Sequence, residues 1–139
     1  KMIRKAYDNG VRILSGSESG FALTPYGHWH AREMQVFVED LGLTPVEAIE
    51  TATKNGAWAM QLDDQLGTLE VGKLADLLII DGDPIADISI LNDKTKINTI
   101  ISRGEQVDLD SLWPSHEPIA GWKVGNWANE ILTWDKAYE

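Results

Sequence analysis

Cysteine is absent from the 139 residues. That excludes disulfides, thiolate nucleophiles and cysteine-based zinc sites, so any metal needs histidine or carboxylate ligands. Long apolar runs are missing too: nothing approaches the roughly 18 consecutive apolar residues of a membrane-spanning helix, and a membrane is not an expected partner. Positive charge is scarce. Twelve Lys and Arg stand against 22 Asp and Glu, a formal net charge of −10, and such a surface repels a phosphate backbone, so nucleic acid is not expected either. There is no P-loop or dinucleotide fingerprint. The first residue is Lys1 rather than an initiator Met, and a helical pattern begins at once with no signal-peptide apolar core. The sequence reads as a chain entered in its middle, with the cytoplasm only a default compartment.

What is present suits a globular α/β protein. Apolar residues make up 43% and charged residues 24%, close to the averages for soluble domains. In KMIRKAYDNG, Ile3, Ala6 and Tyr7 share a helical face and Asn9-Gly10 reads as a stop. Val11, Ile13 and Leu14 follow without a linker, bounded by Gly10 and Gly16, and predict a short buried strand over Val11 to Ser15. From Trp29 to Leu41 the apolar Met34, Phe37, Val38 and Leu41 recur at helical spacing. A further helix is expected from Pro45 to Gln61, because Thr44 can cap, Pro45 suits the first helical position and Glu47 can complete a capping box.

The character changes near residue 63. Glycine turns, the Leu74 to Ile80 run interrupted by Asp76, the Gly82-Asp83-Pro84 break and the alternation of Ile97, Thr99 and Ile101 before Arg103-Gly104 predict strands of a small β unit. From Asp110 on, Trp113, Trp122, Trp127 and Trp134 crowd a tail with two prolines, and tryptophans this dense pack against something. The expected division is thus 1–62, 63–109 and 110–139.

The stretch GVRILSGSESG, the run TPYGHWHAREMQVFVEDLGLTPVEAIETAT, the segment LGTLEVGKLADLLIIDGDPIADI and the closing INTIISRGEQV occur in this order over about residues 10 to 108. In order and spacing they resemble the C-terminal part of a metal-dependent amidohydrolase, in the branch of imidazolonepropionase-like and Xaa-Pro dipeptidase-like hydrolases. The Gly67 to Pro84 run is the most specific piece. The resemblance implies the last βα portion of a (β/α)₈ barrel, with Val11 to Ser15 as the eighth strand, plus C-terminal strands of a small β-sandwich. A whole barrel needs about 250 residues, so the barrel expected here is incomplete.

The same resemblance puts Glu18 where the family has an Asp that binds a divalent metal, zinc in the complete parent enzyme, and takes the proton from the attacking water. A metal lowers the pKa of bound water to about 7 while a carboxylate accepts the proton. Glu18 departs from the pattern by one extra methylene, and a displacement of about 1 Å at such a site costs about a hundredfold in rate. His28 and His30 form a His-x-His pair, but on a helix two such residues point about 200° apart and do not chelate one ion. The family's metal-binding pair belongs to the first barrel strand, which leaves His28 and His30 a substrate-side contact at the mouth of the site or, alternatively, a surface or helix-start role. Arg32 and Glu33 could pair with other parts of the barrel mouth but are expected to be exposed, and the carboxylates of Asp63 to Gln65 and Asp81 to Pro84 to serve turns rather than calcium. Ser15, Ser17 and Ser19 have no triad partner at a recognisable position.

The function expected from the resemblance is that of a fragment of a metal-dependent hydrolase of carbon–nitrogen bonds, acting on a small amide or dipeptide-like substrate in the parent. The family's histidine ligands and bridging lysine come from earlier strands, so the chain alone is expected to hold no catalytic metal and to be inactive. The alternative is a non-catalytic module that associates with itself or with a partner. A strand without its barrel neighbours seeks other strands, which predicts a homo-oligomer.

Overall fold

The computed structural model describes residues 2–19 and 29–109. The tryptophan-rich tail and its expected packing lie outside them, as does His28. Among the described residues, helix α1 spans Met2–Asp8, α2 Trp29–Glu39, α3 Pro45–Ala52 and α4 Lys54–Ala59. Strands β1 (Leu77–Ile80), β2 (Ile97–Ser102) and β3 (Glu105–Gln106) follow, with two 3-10 segments at 88–92 and 94–96 between the first two.

Helix α3 starts as its sequence dictates. The Glu47 N–H donates to Thr44 Oγ1 at 3.3 Å while Glu47 Oε2 accepts from the Thr44 N–H at 2.7 Å, so two amides that a helix start leaves unpaired are both satisfied. The Thr44 N–H first, and then the Thr44 hydroxyl, which donates to the same Oε2 at 2.9 Å, hold the Glu47 carboxyl below the usual glutamate range, with a further bond from the Tyr7 hydroxyl on α1. Burial first, and then the Glu47 hydrogen bond, push the Tyr7 phenol up. Because the folded carboxyl is the stronger acid, its contribution is complete above the ordinary glutamate pKa and is lost as pH falls through the lowered one. Thr44→Ala is expected to cost about 1 kcal/mol in chemical denaturation at neutral pH, and less as the titration proceeds into acid. A cost independent of pH would contradict the box.

The single helix expected from Pro45 to Gln61 is in fact two. Thr53 stands between α3 and α4 at φ −118°, ψ −87°, and its Oγ1 donates back to the Ile49 carbonyl at 2.8 Å. A β-branched residue bonding back in this way bends a helix. The break has a structural use. An unbroken helix would engage the Thr51 carbonyl with the amide four residues on; here it accepts from the Ser15 N–H at 3.2 Å.

Segment 11–15 is the larger correction. It pairs in no ladder among the described residues, and a strand exists only by hydrogen bonding to a neighbouring strand. It is held by side chains and loops instead. Asn55 Nδ2 donates to the Ile13 carbonyl at 2.9 Å, and Arg12 lies over the Trp58 ring, 4.0 Å from its centroid, within cation–π range. Val11 and Leu14, expected to be buried, are exposed.

Buried side chains among the described residues are Leu43, Ala48, Thr51, Ala57 and Ile88, gathered where α2, α3, α4 and the 88–92 turn meet. Thr51 satisfies its hydroxyl on the Ala48 carbonyl at 2.6 Å. Arg4 ties α1 to this group, its guanidinium donating to the Gly42 carbonyl at 2.6 Å.

The β unit forms as expected. Strands β1, β2 and β3 lie in that order, both pairs antiparallel, with Leu77 opposite Ile101 and Ser102 opposite Glu105. Arg103 and Gly104 both take positive φ, 52° and 84°, the conformation of a two-residue hairpin turn whose twist matches the strands. The polar interruption at Asp76 has a purpose, since its Oδ1 accepts from the Arg103 N–H at 2.7 Å and fastens that turn. Asp83 closes its own turn by accepting from the Ile85 N–H at 2.9 Å.

Candidate functional site

The candidate site is the loop 15–19 at the end of segment 11–15, set against the first turns of α2. Two elements fix it from opposite sides. From the α3–α4 break, the Thr51 carbonyl takes the Ser15 N–H. From α2, one oxygen of Glu33 takes two protons: Oε2 accepts from Ser15 Oγ at 2.6 Å and from the Gly16 N–H at 2.7 Å. Both are charge-assisted bonds, the stronger kind. One turn earlier on the same helix face, His30 Nδ1 lies 2.8 Å from Ser17 Oγ, which in turn is 2.8 Å from Ser19 Oγ.

Between these anchors stands Glu18, exposed and with φ +44°. That is the left-handed region, which a residue with a long side chain adopts at a cost of order 1–3 kcal/mol and keeps only where its surroundings over-determine it. Residues held this way concentrate at functional sites. The structure thus brings His30 to Ser17, the residue before Glu18, whereas His28 lies outside the described residues.

Glu33 was expected at the surface. Instead it is part-buried and accepts from Ser15 Oγ and the Gly16 N–H. The available signal was its spacing: three residues after His30 on one helix, it shares a face with it. Arg32, the neighbour read with it, points elsewhere and pairs with Glu39 at 3.3 Å.

Among the described residues no group of three His, Asp or Glu side chains is placed to hold a metal ion. A zinc hydrolase site takes about three protein ligands, and the loop offers the single carboxylate of Glu18. The described residues therefore do not fit a complete metal site.

The chain belongs to the amidohydrolase family, which it matches over residues 1–107. It is 36% identical over 101 residues to the imidazolonepropionase of Brevibacillus brevis, covering 73% of this chain and 24% of that one. Among solved structures it resembles a Xaa-Pro dipeptidase with methionine bound in its active site, at 36% identity and a TM-score of 0.68, over 77% of this chain and 25% of that one. It also resembles the ochratoxinase of A. niger, at 29% identity and a TM-score of 0.65, over 74% and 23%. The chain spans a quarter or less of the length of these relatives. The family implies a divalent metal in its complete enzymes.

Proposed function

We propose that this chain is the closing portion of a metal-dependent hydrolase of carbon–nitrogen bonds in amides, cyclic amides or non-standard peptides. In this assignment 11–15 is the eighth strand of a (β/α)₈ barrel, completed by residues this chain does not contain. Glu18 provides one carboxylate of the metal-and-base position and accepts a proton there, while His28 and His30 lie on the substrate side. The units 1–62 and 63–109 are the barrel piece and the sandwich piece, with 110–139 as a separate tail. The observation that carries the reading is the left-handed Glu18, pinned at the end of segment 11–15, where parallel barrels keep their catalytic groups. The hydrolase names of the relatives support the reaction class.

Among the described residues no three His, Asp or Glu ligands gather, so zinc titration of the chain alone is expected to show no tight stoichiometric site and N-acyl or Xaa-Pro dipeptide substrates no turnover. Tight one-to-one zinc binding accompanied by turnover would overturn this.

The second reading, a self-associating module derived from such a hydrolase, is favoured by one observation. Segment 11–15 has no ladder among the described residues and leaves Val11 and Leu14 exposed. Unpaired strand edges recruit further strands. Light scattering at micromolar concentration is expected to show a homo-oligomer, and a clean monomer removes this alternative.

A further inference from the structure

We infer that Glu33 is a positioning residue that sets where the Glu18 carboxylate stands, an assignment that rests on Glu18 being the reacting acid. The geometry is that of a clamp. A single oxygen, Glu33 Oε2, gathers the Ser15 hydroxyl at 2.6 Å and the Gly16 amide at 2.7 Å, the last two residues before the Ser17–Glu18 turn. His30, one turn earlier on α2, holds Ser17 Oγ at 2.8 Å. The backbone behind Glu18 is thereby fixed by the helix at two successive points, and on the far side by the Thr51 carbonyl. Position 18 sits at φ +44°, where an unrestrained glutamate would relax toward negative φ. Something must hold it, and the bonds that reach the preceding residues come chiefly from Glu33. Glu33 Oε2 has both donors within hydrogen-bond range and so is not itself the group aimed at substrate; it acts through the loop.

The geometry makes a prediction that charge alone does not. An acceptor oxygen at the same reach preserves the clamp, so Glu33→Gln should keep it. Glu33→Asp retains the charge but is one methylene short, and should lose it. The test uses the full 139-residue chain, isotopically labelled, and reads two signals by NMR. The first is the short intraresidue Hα–HN contact that a positive φ imposes on Glu18; the second is the exchange protection of the Gly16 amide. Glu33→Gln is expected to keep both. Glu33→Asp is expected to lose the Glu18 contact and about tenfold in Gly16 protection, the worth of one hydrogen bond, while amides of α3 and the β1–β2 pair keep theirs. A merely structural or electrostatic role for Glu33 ranks the variants the other way, with Asp the milder. The inference is overturned if Glu18 keeps its contact in Glu33→Asp, or if Glu33→Gln loses it. These signals are independent of zinc binding and turnover, so they can fail while the hydrolase assignment stands, and the reverse.

Discussion

Gly67→Ala is expected to lower the melting temperature by on the order of 10 °C or more. Gly67 sits at φ +92°, and a Cβ added there would lie 2.5 Å from Ala57 Cβ, 3.2 Å from Lys54 Cα and 3.2 Å from the Thr53 carbonyl oxygen. Two costs add. A side chain in the left-handed region costs about 1–2 kcal/mol, and forcing a methyl into filled space costs typically about 1–3 kcal/mol. The sum, about 2–5 kcal/mol, is a large part of the stability of a domain this size. Ala57 is 1% exposed and anchors α4 in the core, so the clash cannot be relieved by a surface side chain swinging away. Adding Ala57→Gly removes the worst contact but not the backbone ones, and should restore part of the loss. Thermal unfolding by circular dichroism reads both, and an unchanged midpoint in Gly67→Ala would show that the turn at 67 does not close over α4 as described.

The second large effect belongs to the proposed reaction. In a protein that joins this chain to the rest of its barrel, Glu18→Gln keeps the size of the side chain and removes its ability to take a proton. The expected loss is about 10²–10⁴-fold in kcat, the usual worth of a positioned acid–base group. Stability should change by no more than about 0.5 kcal/mol, as for an exposed side chain. Glu18→Asp should act in the opposite direction. It withdraws the carboxylate by one methylene, worth up to about a hundredfold in rate if the extra reach of glutamate is a misplacement. Aspartate also tolerates the left-handed backbone better. Steady-state kinetics on the three proteins decides; a Glu18→Gln enzyme with undiminished kcat would remove Glu18 from the chemistry.

The parts of the fold that were legible are those written in neighbouring residues. The capping box of Thr44 and Glu47, the Asn9-Gly10 stop and the Arg103-Gly104 hairpin each depend on a few adjacent side chains and backbone angles, and each forms as its local pattern requires. What was not legible depends on distant groups. The Val11 to Ser15 run has the composition of a buried strand, but composition cannot supply the partner that makes a ladder. Glu33 could be read as exposed or as pairing somewhere, but not with which groups, since its donors lie 17 and 18 positions away. The left-handed angle at Glu18 is one that glutamate does not favour, so the residue type does not announce it. The flanking motif singles out the acid and does not give its conformation.

The discontinuity at Thr53 carries a consequence for how such a site tolerates change. Because the carbonyl freed there grips the backbone just ahead of the acidic loop, the placement of the acid depends on a helical irregularity some 35 residues downstream in the chain. Smoothing that irregularity, for instance with Thr53→Ala, would draw the carbonyl back into a regular helix and leave the Ser15 amide seeking a new acceptor. The acid would then drift although no residue beside it had been altered. Substitutions that look like harmless improvements to a helix are, at this position, edits to the loop that carries Glu18.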